Sequence, residues 1–240
     1  MYHTIFEVGK KVVDAIETTQ QEPIERAAEL IGEAFVKGHK FFVTGSGHSH
    51  TVAEEFYGRA GGLACVTPIL TPELTLTDHP TKSSQLERLD GYATILVNLY
   101  DIKAGDVVLI ASNSGRNAYP VEMALEAKKR GASVIAITSR KHSEACTSRA
   151  KSGKKLMEVA DVVIDNCGML GDSSLTVEGI AAPLLPTSSI ANAFIAQAIT
   201  VLAAVYIRDA GLEPPVFISL NVMGEDNKND EYFKKYARMY

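Results

Sequence analysis

Three short segments bring hydroxyl groups together with backbone amides that a regular helix leaves unpaired. They are Gly45-Ser46-Gly47-His48-Ser49, Ser112-Asn113-Ser114-Gly115 and Thr187-Ser188-Ser189. Each lies where a helix is expected to begin, and a helix N-terminus offers free N–H groups and a positive dipole end to an anion. Glycine lets the backbone approach a ligand closely, and serine and threonine add hydroxyl donors. Taken singly, each segment reads equally well as ordinary helix capping. Three of them near one sheet edge describe a neutral cradle for a small phosphate ester. Its candidate binding residues are Gly45, Ser46, Gly47, Ser49, His50, Ser112, Asn113, Ser114, Gly115, Thr187, Ser188 and Ser189.

Two familiar phosphate motifs are absent. A dinucleotide fingerprint needs a third glycine where His50 stands, and an acidic residue after the next strand, which instead reads Val66-Thr67-Pro68. No Gly-Lys-Ser/Thr follows either glycine loop, so a P-loop is excluded.

Titratable groups near the first loop could move protons. His48 lies inside it and is expected to face the ligand. His50 and Glu54 are four residues apart on one helical face, with Glu54 about 6 Å further along the axis from the ligand end. Glu55 and Arg59 have the same spacing and read as a surface ion pair. The segment 70–90 adds Asp78, His79, Lys82, Ser83, Ser84, Glu87 and Arg88. Lys82 or Arg88 could clamp an anion, and Glu87 or His79 could exchange protons. The plainer reading of that segment is a helix start capped by Ser83 or Ser84. Glu54 and Glu87 thus stand as alternative bases, with His48, His50 or His79 as companions.

The elements that would hold these groups follow from the apolar pattern. Residues 3–19 and 23–37 read as amphipathic helices, the second with Pro23 in its first turn and Gly38 at its end. Apolar runs at Lys40–Thr44, Leu63–Thr67, Val107–Ala111, Ser133–Thr138 and Asp161–Ile164 predict strands. Helices are expected at His50–Ala60, with Val52, Ala53, Phe56, Tyr57 and Ala60 as its buried stripe, and at Tyr119–Arg130, Arg140–Ala150 and Ser189–Ala210. Strands that are apolar throughout and alternate with helices imply a parallel sheet covered on both faces, and ligands sit at the carboxyl ends of such strands. Segments 70–90 and 166–188 fit no regular element and suit site walls or surface excursions. The chain divides into helices at 1–38, packing on the core or on a dimer partner, a binding domain at 39–212, and a strand/helix tail at 213–240 whose short helix is expected near Glu231–Arg238.

Composition narrows the function classes. The 240 residues carry a net charge of -5, so no global positive field would draw in nucleic acid or anionic lipid. The three cysteines, Cys65, Cys146 and Cys167, are far apart and form no CxxC, which argues against a disulfide framework or a zinc site. Glu7 and Asp14 interrupt the N-terminal segment, which does not read as a signal peptide. The uncharged run Ile190–Ile207 has nearly membrane length, but its Asn192, Gln197 and many alanines suit a buried core helix. The cytoplasm is the expected compartment. Because that helix is apolar nearly all round, a homodimer or homotetramer is expected.

The run Gly105-Asp-Val-Val-Leu-Ile-Ala-Ser-Asn-Ser-Gly115, the later Lys129-Arg-Gly-Ala132 and Val134-Ile-Ala-Ile-Thr-Ser139 resemble the sugar isomerase (SIS) domain. The Gly45–Ser49 loop is similar to that family's first ligand loop. The resemblance spans about residues 35–210. It implies a five-stranded parallel sheet in a three-layer αβα sandwich of flavodoxin-like type, usually dimeric or tetrameric, that binds phosphosugars; no cofactor is expected. It points to Ser49, to Ser112, Ser114 and Gly115, and to Ser188 and Ser189 as ligand contacts. Asn117, where a threonine is common, joins the binding set with its role open. The helical additions and the serine pair resemble the phosphoheptose isomerase-like branch, and Glu54-Glu55-Phe56-Tyr57-Gly58-Arg59 with Glu87-Arg88 resembles an uncharacterised bacterial group within it.

Phosphoheptose isomerases carry a glutamate about ten residues after the first-loop serine, where this chain has Arg59. They also carry a histidine on the long C-terminal helix, and Ser189–Ala210 has none. The catalytic pair therefore does not carry over by position, and support for a metal site falls with it. Three functions follow from the resemblance. One is an aldose–ketose phosphosugar isomerase working through an enediol. The others are a non-catalytic phosphosugar sensor and a lyase or etherase acting on an amino-sugar phosphate.

Overall fold

The computed structural model describes residues 1–77, 79, 81–221 and 226–236. The chain opens with helices α1 (Tyr2–Thr19) and α2 (Gln21–Val36), then alternates strand and helix. The order is β1 (Phe41–Gly45), α3 (Thr51–Phe56), β2 (Val66–Ile69), α4 (Lys82–Leu86), α5 (Tyr92–Leu99), β3 (Val107–Ala111), α6 (Ala118–Lys129), β4 (Ser133–Thr138), α7 (Arg140–Glu144) and β5 (Val162–Asp165). A hairpin of β6 (Ser173–Leu175) and β7 (Leu184–Pro186) precedes the long helix α8 (Ser188–Asp209), and α9 (Asp226–Tyr236) follows.

Strands β1 to β5 form one parallel sheet in the order β2-β1-β3-β4-β5. Successive side chains leave a strand on opposite faces, and the core divides accordingly. Phe41, Val43, Leu109, Ile135 and Ile164 pack with α2, α3 and α8 through Ile31, Phe56, Ile195 and Ile199. Phe42, Val108, Ile110 and Val134 pack with α5 and α6 through Val97, Tyr119 and Met123. The sandwich has the expected fold class.

The strand order reverses between β1 and β3, which opens a crevice beyond their carboxyl ends. Gly45 pairs with Ala111 in register, so the two serine loops leave the sheet side by side. On α8 one face is buried (Ala191, Ile195, Ile199, Ala203, Ile207), while Phe194 and Val201 remain exposed. This is the one helix among the described residues long and apolar enough to cross a membrane by length and composition. It docks closely on α2, where a Cβ added to Gly32 would lie 2.7 Å from Cγ of Tyr206.

Several expected boundaries shift. Leu63 and Ala64 do not belong to β2. Leu63 forms an antiparallel bridge with Val216, and the Ala64 N–H donates to the Pro215 carbonyl. The helix expected over His50–Ala60 begins as a 3₁₀ turn at Gly47–His50 and ends at Phe56, before Gly58 at φ +70°. Val52, Ala53 and Phe56 are buried, but Tyr57 and Ala60 are exposed. The helix expected over Arg140–Ala150 stops at Glu144, because Lys155 Nζ donates to the Ser143 and Cys146 carbonyls at 2.7 and 3.3 Å. Helix α4 lies inside segment 70–90, and the β6–β7 hairpin inside 166–188. Asp78, Gly224 and Arg238 fall outside the described residues.

Candidate functional site

The first loop is shaped by close backbone approach. A Cβ on Gly45 would lie 2.6 Å from the carbonyl carbon of Ser49, so glycine is what allows β1 to turn into the 3₁₀ helix. The Gly47 N–H donates to the Leu74 carbonyl at 2.9 Å and ties the loop to the segment that leads to Glu87. The second loop is fastened to β4. Ser112 N–H donates to the Ile137 carbonyl, and the Asn113 carbonyl accepts from Ser139 N–H and Thr138 Oγ1. Ser112 Oγ accepts from Gly115 N–H at 3.2 Å, and Gly115 itself sits at φ +56°.

Between the loops lies a cleft of about 280 Å³ lined by Ser46, Ser49, Glu87, Ser112, Asn113, Ser114, Arg116, Asn117, His142 and Arg149. Glu87 is its carboxylate. Ser46 Oγ donates to Glu87 Oε2 and Asn117 Nδ2 donates to Glu87 Oε1, both at 2.6 Å. The Glu87 carbonyl accepts from Tyr119 N–H at 2.9 Å, which anchors the residue to the start of α6. Burial pushes the Glu87 carboxyl above its ordinary value. The Ser46 hydrogen bond and the charges of Arg88 and Arg149 pull it partly back. Asn117 is oriented in turn by Arg149, whose Nη1 donates to Asn117 Oδ1 at 3.3 Å. Two buried nitrogens of the cleft, Arg116 Nε and His142 Nδ1, have no hydrogen-bond partner.

Of the residues singled out from the sequence, Ser46, Ser49, Ser112, Asn113, Ser114, Asn117 and Glu87 meet around this cleft. Gly45, Gly47 and Gly115 supply the backbone of its two loops. Glu54 does not line it. Its side chain is 56% exposed and lies 3.4 Å from His50 Nε2. His50 is turned inward, with Nδ1 bonded to the Gly47 carbonyl, and so is committed to the loop's own structure. His48 is exposed and outside the lining. His79 Nδ1 pairs with Thr81 Oγ1 at 2.9 Å, also away from the cleft.

The third hydroxyl cluster, Thr187-Ser188-Ser189, is likewise outside the lining. Its donors face a carboxylate of the chain itself. Asp172 accepts from Thr187 N–H at 3.2 Å, Ser188 N–H at 2.9 Å and Ser188 Oγ at 2.5 Å. What reaches the cleft from α8 is indirect: Asn166 Nδ2 donates to Asn113 Oδ1 at 2.7 Å and to Asn192 Oδ1 at 3.1 Å.

The cleft is also not the neutral cradle expected, because Arg116, Arg149 and His142 stand in its wall. Arg116 directly follows Gly115, so the second serine loop itself marks it. His142 and Arg149 follow β4 at the same carboxyl edge, and because α7 ends at Glu144 they do not share the single helical face that a helix over 140–150 implies. The described residues contain no cluster of His, Cys, Asp and Glu suited to a metal ion. A larger hollow of about 560 Å³ lies at the amino edge of the sheet, lined by His39, Lys40, Cys65 and Tyr232 among others, and holds none of the sequence candidates. Burial pushes the Cys65 thiol up to about 12, which makes it a poor nucleophile.

Comparison with known proteins agrees with this architecture. The SIS domain profile matches residues 6–139. The chain is 47% identical to UPF0309 protein BH3325 of Halalkalibacterium halodurans, covering 95% of this chain and 94% of that one. It is 41% identical to UPF0309 protein TTE0306 of Caldanaerobacter subterraneus, with the same coverage. Among solved structures, phosphoheptose isomerase GmhA from Neisseria gonorrhoeae superposes with a TM-score of 0.55 at 19% identity, over 85% of this chain and 96% of that one. A phosphoheptose isomerase from Francisella tularensis superposes with a TM-score of 0.54 at 17% identity, over 84% and 95%. At these identities the structural likeness is one of fold. With a sheet, two serine loops and a matching profile in place, the chain belongs to the SIS domain family, in its UPF0309 group.

Proposed function

We propose that the cleft binds a phosphorylated sugar in its open-chain form and interconverts its aldose and ketose forms through an enediol. The observation that carries this reading is Glu87, a half-buried carboxylate held by Ser46 and Asn117 between two serine loops. The SIS fold is a phosphosugar-binding fold, and the switch point between β1 and β3 is where such a sheet takes a ligand.

The hydroxyls of Ser49, Ser112 and Ser114 and the amides of the second loop hold the phosphate, and Arg149 at the rim supplies opposite charge. Glu87 removes the proton from the carbon beside the carbonyl. Its elevated carboxyl suits that role, because a base works best with a pKa near the working pH. The solved structures named phosphoheptose isomerases share this fold, which supports a phosphorylated sugar as the substrate class.

The test is a thermal-shift screen of phosphorylated aldoses and ketoses, followed by NMR in deuterium oxide on the best binder. Exchange of the C1 or C2 hydrogen together with conversion supports the reading. Stabilisation with neither refutes it in favour of a sensor. Release of an acid from an amino-sugar phosphate would favour the lyase or etherase instead.

A further inference from the structure

We propose that His142 carries the proton between the two oxygens of the bound sugar while Glu87 carries it between the two carbons. The assignment rests on the enediol reading above and supplies the acid that reading lacks. His142 is the one imidazole among the residues lining the cleft. Its Nδ1 is buried without a partner, so no hydrogen bond fixes that edge of the ring, and the residue borders the cleft where a ligand would sit. The ring stands on a fixed base. The His142 N–H donates to Ser139 Oγ at 3.2 Å, and Ser139 Oγ donates to the Gly168 carbonyl at 2.7 Å. Ser139 is fully buried. The three histidines near the first loop and segment 70–90 are placed elsewhere: His48 faces solvent, His50 binds the Gly47 carbonyl, and His79 pairs with Thr81.

Glu87 takes the C2 proton of the aldose. The C–H electrons form the C1–C2 double bond, and the carbonyl π electrons move to O1, which takes the proton from the His142 imidazole. His142 then takes the O2 proton, the O2 electrons re-form a carbonyl at C2, and C1 receives its proton from Glu87. Both side chains finish in their starting states, and no oxidant, reductant or ion is consumed. Arg116, in the same wall, brings its guanidinium as a second donor to the developing negative oxygen.

His142→Gln separates the two proton paths, and Glu87→Gln is the comparison. Each is measured for ligand-induced thermal shift, for carbon-bound hydrogen exchange in deuterium oxide and for net conversion. In Glu87→Gln, exchange and conversion fall together. In His142→Gln, binding stays within about threefold, and conversion falls by roughly 10²–10⁴-fold, the usual share of a general acid. Exchange falls at least tenfold less than conversion. Unchanged conversion, or equal loss of exchange and conversion, overturns the role of His142 while leaving Glu87 in place. Wild-type protein that binds a sugar phosphate without exchanging or converting it overturns the enediol reading, and His142 with it. The intact protein gives a second readout through nitrogen-15 NMR of its histidines. Adding the best-binding sugar phosphate is expected to move the His142 ring-nitrogen resonances, and unmoved resonances overturn the assignment.

Discussion

Replacing Glu87 by glutamine and by alanine separates its chemistry from its place in the fold. Glutamine keeps both neighbours satisfied. Asn117 Nδ2 can still donate to its Oε1, and the Ser46 hydroxyl can rotate to accept from its Nε2. Alanine leaves both groups without the partner they have at 2.6 Å, and each lost partner in a largely buried site costs about 1–3 kcal/mol. With water reaching the open cleft, the low end applies, so alanine should cost about 2 kcal/mol. For a domain of this size that lowers Tm by roughly 4–8 °C.

The pH dependence of the glutamine variant has a definite sign. Burial raises the folded-state pKa of Glu87, so the folded protein holds that proton more tightly than the unfolded chain. The wild type therefore loses stability as pH rises from the ordinary glutamate range through the elevated folded value. Glutamine does not titrate and escapes this loss. The Tm of Glu87→Gln minus that of wild type should be smallest near pH 4 and should grow towards neutrality, while turnover falls by roughly 10²–10⁴-fold. Differential scanning fluorimetry across pH and the exchange assay read both quantities. A glutamine variant that converts substrate normally, or whose Tm difference shrinks as pH rises, would refute the reasoning.

Asp172→Ala removes the carboxylate that caps α8 through three donors and should cost about 1–2 kcal/mol. Denaturant titration measures it, and sugar-phosphate affinity should hold, since this cluster lies outside the cleft. Tyr119→Phe removes the hydroxyl that meets Thr44 Oγ1 at 2.6 Å, while Thr44 keeps the Ile69 carbonyl as acceptor. The expected loss is about 1 kcal/mol, or roughly 2–4 °C in Tm. Gly45→Ala forces the first loop away from the Ser49 carbonyl and should cost about 1–3 kcal/mol, with sugar-phosphate binding lost more completely than stability by calorimetry. The exposed Phe194 and Val201 of α8 accord with a homo-oligomer, so sedimentation at micromolar concentration should show a dimer or larger species, and a monomer would refute it.

How far the sequence could be read varied from element to element, for identifiable reasons. Strands β3 and β4 were legible to the residue, because runs buried on both faces are apolar without interruption and end at glycine, serine or asparagine. Strand β2 was shifted because Leu63 and Ala64 are as apolar as Val66, yet they pair with Val216 and Pro215 from the distant tail. Helix α5 carried no distinct marker beyond Gly91, whose N–H is held by the Glu122 carboxylate from another helix.

The two serine loops were visible because glycine and serine directly follow an apolar run at the carboxyl end of β1 and of β3. The candidate proton-moving groups could not be told apart in the same way. Glu54 and Glu87 look alike along the chain, since each sits near a helix beside polar residues. Packing separated them, turning Glu54 to solvent on α3 and bringing Glu87 to Ser46 across 41 positions. Serine loops at a parallel sheet edge are a local pattern, set by backbone conformation and hydrophobic run length, so the amino-acid order alone determined the fold and the hydroxyl and amide donors of its two loops. Which carboxylate, imidazole and guanidinium converge on those donors depends on how distant segments close over the sheet. That is a property of long-range packing, and only the tertiary structure decided it.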